Sequence, residues 1–265
     1  MTDYFARESS MNRHCVITTS WDDGFPYDLR LADLLAKHSL PATFYIPIRP
    51  ATPVVTPAQI REIASIFEIG AHTVRHVPLT RLPPAEAEAE LCQSRAGIEQ
   101  ITGKPCPIFC FPQGKFSPAH LPLVRKAGFL ACRTVAALSF DRPALRSGIL
   151  VMPTTAQAHT HARLDLVRNV VKRCAFRPAW NWLLCGLRSD WMDLAKALLD
   201  RAIVTGGVFH LWGHSWEIEN QQQWKRLDRF FAHLAAHRLQ AAFRTNSEVC
   251  CAAENQAESR ALVVQ

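Results

Sequence analysis

At 265 residues the chain can bury a substantial hydrophobic core as one domain without disulfide staples. Hydrophobic residues at 48% and charged residues at 20% exclude a disordered, collagen-like or coiled-coil protein, and no apolar run is long enough to span a bilayer. The formal charge of +7 is spread along the chain; it is compatible with anionic substrates, nucleic acid or acidic lipid, and a basic solvated surface is the plainer reading.

Residues 1–14 are polar and charged, carry no apolar signal-peptide core, and read as an N-terminal extension. Nine cysteines, an odd number without a CxxC pair, favour a reducing cytoplasm, with thiols acting as small core residues; Cys106 and Cys110 are read as structural. From residue 15 onward short β-like runs alternate with helical stretches, as in a βα-repeated sheet or barrel. Strand-like runs fall at 15–20, 42–47, 67–70, 107–111, 129–134, 149–152 and 207–212. Between the first two, Leu31, Leu34, Leu35 and His38 recur at helical spacing.

Thr56-Pro57 is an N-cap followed by proline at the first helical position, opening a helix with Ile60, Ile63, Ala64 and Phe67 on one face. A long helix over 84–102 is stopped by Gly103, and Ser117-Pro118 opens another that ends at Gly128. Ser189 opens a helix to 203, and 217–239 is expected as the last long helix. Residues 15–250 therefore read as one domain, with 136–188 as an elaborated loop region and 251–265 as a weakly patterned tail.

Four constellations stand at or just beyond candidate strand ends, where a βα architecture gathers its active site. The first is Ser20-Trp21-Asp22-Asp23-Gly24, whose adjacent carboxylates can turn apart so that one binds a cation and the other accepts a proton; a tight turn is the competing reading. In the second, His72 and His76 lie four apart, on one side of a helical turn, and paired imidazoles suit zinc and related metals. His233 and His237 share that spacing on the last helix, where packing or exposure is the simpler role. The third, Pro112-Gln113-Gly114, can expose a backbone N–H toward a cleft. The fourth is His210-Leu211-Trp212-Gly213-His214, followed by Trp216 and Glu217: an aromatic-walled pocket with a proton-transfer group, or a core histidine beside packing tryptophans. One Asp with His72 and His76 makes a two-His, one-carboxylate set that leaves coordination positions open, and the other Asp and a histidine can then supply a base and an acid.

In this order, and with Ala42-Thr43-Phe44-Tyr45 between the first two, these blocks resemble the polysaccharide deacetylase family, the NodB-homology carbohydrate esterases, over roughly 16–217. The resemblance implies a distorted (β/α) barrel of the NodB type in a single domain. It implies a metal-dependent hydrolase, most simply with Zn2+, that removes acetyl or formyl groups from N-acylated sugars. By position Asp22 resembles the catalytic base, and Asp23, His72 and His76 the metal ligands; the Gln113 N–H is similar to the oxyanion donor. The general acid is His210 or His214, with His214 preferred because it lies past the strand end and follows a glycine. The family's usual arginine that orients the base is replaced by Cys110, and Arg133 on the next strand is the candidate substitute.

Trp21, Trp212 and Trp216 lie in or beside the expected site, where aromatic faces stack on sugar rings. Trp180, Trp182 and Trp191, interleaved with Arg173, Arg177 and Arg188, read as a packed subdomain with basic edges, or as a lid, a lipid-facing surface or an anion clamp. The expected partner is an N-acylated sugar precursor, nucleotide- or lipid-linked, with peripheral membrane contact allowed and no nucleic acid; oligomeric state is left open. Rival readings are an allantoinase-like amidase on the same scaffold and a non-catalytic sugar-binding homologue.

Overall fold

The computed structural model describes residues 15–160 and 176–263. The expected N-terminal extension 1–14, Arg173, Cys174 and the last two residues lie outside that set.

Among the described residues ten strands form one sheet. The first, β1 (Cys15–Asp22), is buried along its whole length, as a central parallel strand covered on both faces must be. It is followed by α1 (Asp28–Lys37), β2 (Thr43–Ile46), α2 (Pro57–Ile66), β3 (Glu68–Ala71), α3 (Pro84–Thr102), β4 (Ile108–Cys110), α4 (His120–Lys126) and β5 (Ala131–Arg133). Then come β6 (Ala144–Arg146), β7 (Ile149–Met152), β8 (Ala156–Gln157), α5 (Phe176–Leu184), α6 (Trp191–Thr205) and β9 (Gly207–His214). The chain closes with α7 (Ser215–Asn220), α8 (Trp224–Ala235), β10 (Ala241–Phe243) and α9 (Asn246–Val263). The sheet order is β6-β7-β5-β4-β3-β2-β1-β9-β8, with β10 also on β1, and every pairing except β6–β7 is parallel. This is the curled half-barrel of a distorted (β/α) barrel, in a single domain.

The local signals explain several elements. Thr56 and Gln59 form a reciprocal capping box with Pro57 at the start of α2, and Gly103, in the left-handed region at φ 67°, stops α3. Alternation along each strand then sorts side chains to two cores. Ile17, Trp21, Phe44, Phe109 and Phe209 pack outward under the helices, joined by Leu31, Leu198 and Phe230. The inner face holds a smaller cluster, Val16, Tyr45, Ile108, Cys110, Ala131 and Met152, which α9 covers with Val249 and Cys250.

Some expected boundaries move. Asp190, not Ser189, caps α6, its carboxylate accepting from the Met192 and Asp193 N–H groups at 3.1 and 3.2 Å. The expected helix over 217–239 is two helices, α7 and α8, separated at 221–223, where Gln222 adopts φ 55°. The helix expected from Ser117-Pro118 begins at His120, after a turn in which Ser117 bonds the His120 ring. Within 136–188 the antiparallel β6–β7 hairpin and β8 extend the sheet. Helix α9 runs through the segment read as a weakly patterned tail, anchored by its fully buried first residue, Asn246. Of the nine cysteines, eight are described; all are free, and all but Cys92 and Cys251 are buried.

Candidate active site

Parallel register decides what meets at the C-terminal ends of the strands. Asp22 pairs with His214 and Tyr45, and Cys110 pairs with Arg133. A cavity of about 310 Å³ opens there, lined by Asp22, Asp23, His72, His76, Gln113, Gly114, Val135, Trp212, His214 and Trp216. Asp23, Thr73, His76 and Gln113, which line or flank it, all have positive φ, between 57° and 81°. Left-handed backbone at four non-glycine residues in one place is strain held by its surroundings, and such strain concentrates at functional sites.

The strained turn after β1 separates the two adjacent carboxylates. Asp22, the last residue of β1, points into the sheet interior, where the guanidinium of Arg133 bonds its Oδ1. Both side chains are almost fully buried, and Arg133 also lies over the rings of Trp212 and Tyr45, at 4.8 and 5.1 Å from the centroids. Burial works against its charge, yet Asp22 beside it holds its pKa above the usual arginine value. Cys110 reaches Asp22 Oδ2 with its thiol at 3.8 Å. The structure therefore brings arginine to Asp22 from β5 and leaves a small thiol at the β4 position. Burial pushes the Cys110 thiol well up.

Asp23 faces the other way. Trp216 Nε1–H donates to its Oδ2 at 2.9 Å, and Oδ1, buried and without a hydrogen-bond donor, faces His76 Nε2 at 3.0 Å and His72 Nε2 at 3.5 Å. His72 Nδ1 sits 2.8 Å from the Cys110 carbonyl, which can only accept; the proton is therefore on Nδ1, and the Nε2 lone pair points at Asp23. Ligand atoms of Asp23, His72 and His76 all lie within 4.8 Å of one another. Lone pairs converging on a point, one from a buried carboxylate oxygen left unpaired by hydrogen, fit a cation held between them.

The two histidines do not share a helical turn as their spacing suggests. Residues 72–76 form a loop after β3, and its left-handed residues Thr73 and His76 fold it back on itself. Glu90 of α3, itself buried, fixes that loop by accepting from the Val74 and Arg75 backbone N–H groups at 2.7 and 3.1 Å and from Arg75 Nε at 2.5 Å. Glu90 gave no signal in the sequence beyond an acidic residue on a helix, because its role depends on where α3 packs.

His214 and His210 have different surroundings. Strand β9 continues through His214, which is its last residue and not past its end, so His210, Trp212 and His214 alternate onto one face. Gly213 is on the opposite face; a Cβ there would stand 3.0 Å from the Trp21 ring, so close packing and not a turn requires the glycine. His210 is fully buried, donating Nδ1–H to the Pro153 carbonyl at 3.2 Å and accepting at Nε2 from Ser20 Oγ at 2.8 Å. Burial, reinforced by Arg133, pushes its pKa well down. His214 bonds Glu217 through Nδ1 at 2.7 Å and turns Nε2 toward Asp23, 3.8 Å from its Oδ2. Burial would lower the His214 pKa, but Glu217, Asp22 and Asp23 raise it to about 9.

Of the three tryptophans expected at the site, Trp212 and Trp216 line the cavity. Trp21 does not: it is fully buried on the outer face against Phe231, ring centroids 5.9 Å apart. Gln113, in the short turn Pro112–Gly114, borders the cavity, and Gly114 approaches Val135 so closely that a Cβ would sit 2.1 Å away. Trp182 and Trp191 are buried, whereas Trp180 is 59% exposed on α5.

Residues 10–132 match the polysaccharide deacetylase family. A Mycobacterium smegmatis protein assigned to the polysaccharide deacetylases is similar in fold, with a TM-score of 0.69 at 17% identity over 93% of this chain and 92% of that one. A family 4 acetyl xylan esterase from Clostridium thermocellum, solved with a cobalt ion, gives 0.54 at 16% identity over 88% and 89%. Puue allantoinase gives 0.63 at 14% identity over 90% of each chain. No curated protein matches the sequence. The match over residues 10–132 and the shared half-barrel bear out the resemblance to the polysaccharide deacetylase family, with NodB homology.

Proposed function

We propose that the protein is a divalent-metal-dependent hydrolase that removes an acetyl or formyl group from the nitrogen of an amino sugar or sugar precursor. The observation that carries this reading is the convergence of Asp23 Oδ1 with the His72 and His76 imidazoles, beside an Asp22 that is paired separately with Arg133. Asp23, His72 and His76 would hold the cation, most simply Zn2+. Such an ion polarises an acyl carbonyl and eases deprotonation of water.

In this reading Asp22 accepts the proton of the attacking water, while Arg133 balances its charge and fixes its orientation. The Gln113 N–H donates to the oxyanion that develops on the acyl oxygen; a donor in that role is typically worth about 3–4 kcal/mol. His214, oriented by Glu217, holds a proton at neutral pH and gives it to the departing amine, leaving a free amino sugar and acetate or formate. His210 is excluded from this role because both its ring nitrogens are engaged inside the sheet.

A sugar ring fits between the tryptophans that border the cavity, Trp212 and Trp216. The net charge of +7 supports a phosphate-bearing precursor, nucleotide- or lipid-linked. Exposed Trp180, Leu183, Leu184 and Leu187 on and after α5 support contact with a membrane surface during delivery of a lipid-linked one. A reducing cytoplasm, suggested by the odd cysteine number, completes the proposal.

The test is release of acetate or formate by metal-loaded protein from N-acylated amino sugars and their precursors, with ureides alongside. Acyl release is expected. His72→Ala and Asp23→Ala should lose both bound metal and turnover, whereas Asp22→Asn should retain metal and lose about 10²–10⁴-fold in rate. Near-normal turnover by Asp22→Asn would overturn the assignment of the base. Ureide hydrolysis without acyl release would favour the allantoinase-like reading, and metal binding without any turnover the sugar-binding one.

A further inference from the structure

The histidine pair His233 and His237 lies outside the catalytic cavity. His233 is on the last turn of α8, and His237 follows just past its end. The rings stand edge to face with centroids 4.9 Å apart. His237 donates Nδ1–H to the His233 carbonyl at 2.9 Å, which leaves its Nε2 as the nitrogen with a lone pair. His233 Nε2 is buried and has no hydrogen-bond partner. Asp200, on the neighbouring α6, completes the group: one ligand atom from each of the three residues lies within 4.8 Å of the others.

We propose that Asp200, His233 and His237 form a second, non-catalytic site for a transition-metal cation, joining α6 to α8. Two imidazoles and one carboxylate select zinc, copper, nickel or cobalt over magnesium or calcium, whose preferred ligands are all oxygen. Histidines four apart at the end of a helix present their nitrogens on one side. Asp200 is exposed and both histidines are partly so, which gives an ion a path from solvent.

The placement gives such an ion a structural task. Helix α6 leads directly into β9, which ends at His214, and α8 follows shortly after it. The helices already meet through Trp191 and Phe230 and through the ion pair of Arg226 with Asp190 at 2.7 Å. A cation bound near the far end of α6 would fasten the two helices at a second point.

The test is equilibrium dialysis against Zn2+ with metal analysis, on the wild type and on His233→Ala, His237→Gln and His72→Ala. The wild type should bind one equivalent more than either His233→Ala or His237→Gln, whose second site should weaken at least about tenfold, while acyl release stays unchanged. His72→Ala should retain that equivalent, and Cu2+ bound to it should show nitrogen hyperfine splitting in its EPR spectrum. Wild-type stoichiometry unchanged by both His233→Ala and His237→Gln would overturn the proposal. So would loss of the equivalent in His72→Ala alone.

Discussion

The two ends of the parallel sheet both bury carboxylates and treat them in opposite ways. At the N-terminal end Glu68, the first residue of β3, accepts from the Thr43, Thr245 and Ser247 hydroxyls and from the Ser247 N–H. Asn246 extends this network, bonding Thr18, Thr43 and the Tyr45 hydroxyl. Burial raises the Glu68 pKa despite those donors. At the C-terminal end Asp23 Oδ1, Thr73 Oγ1 and two guanidinium nitrogens of Arg133 are buried without hydrogen-bond partners. A saturated network locks α9 to the sheet. An unsaturated one keeps polar atoms available to a substrate, a cation or water, at a stability cost of about 1–3 kcal/mol for each unmet group.

Separating the ends by mutation gives graded outcomes. The largest effect is expected at Arg133. Arg133→Met leaves Asp22 buried without its guanidinium partner, which should cost about 3–5 kcal/mol of stability and about a hundredfold in turnover. Arg133→Lys should recover part of each, since it restores the charge without the planar fork. Melting temperature and kcat measured on both variants test this, and an Arg133→Met protein with normal kcat would remove Arg133 from the positioning of Asp22.

A smaller effect, visible in its pH dependence, is expected at Asp28, in the first turn of α1. Burial raises its pKa from 3.8 to about 8, opposed by the Ser215 hydroxyl and His214 and assisted by Asp23 and Asp22. A raised carboxyl pKa favours the protonated native state, so this contribution to stability is full below pH 3.8 and is lost as pH rises to about 8. Wild-type melting temperature should therefore decline from pH 5 to 8, and Asp28→Asn should flatten the decline and melt higher at pH 8. Parallel curves would contradict the assignment. The smallest effect belongs to the saturated end: Glu68→Gln should lower stability by about 1–2 kcal/mol and leave kcat unchanged, and a fall in kcat would show that the two ends are coupled.

What the sequence revealed depended on how local the responsible physics is. The Thr56 N-cap with Pro57 behind it and the stop at Gly103 are chemistry within a few residues, and both were readable; the Gln59 half of the capping box emerged from the structure. Asp22, Asp23, His72, His76 and His214 were identifiable as candidates because each stands at or just after a strand whose alternation is plain. The contacts that hold them were not: Trp216 and Glu217 stood out only as neighbours of His214, and Glu90 not at all, because the hydrogen bonds they make to Asp23, His214 and the 72–76 loop are created by packing. The break between α7 and α8 carries no glycine or proline, only a glutamine in a left-handed conformation. Helix α9 has almost no amphipathic pattern because its position is fixed by buried polar anchors at its start, chiefly Asn246.

Strand β1 has a forked edge with kinetic meaning. Its lower half, Cys15 to Ile17, pairs with β10, its upper half, Ser20 to Asp22, with β2, and its whole length with β9 on the other side. The earliest of the described strands therefore waits for nearly the last of them before its backbone is enclosed. Loop-closure entropy must be met before that pairing is rewarded, so slow, late consolidation is expected of this chain, with the candidate site assembled only after residue 214 has emerged from the ribosome.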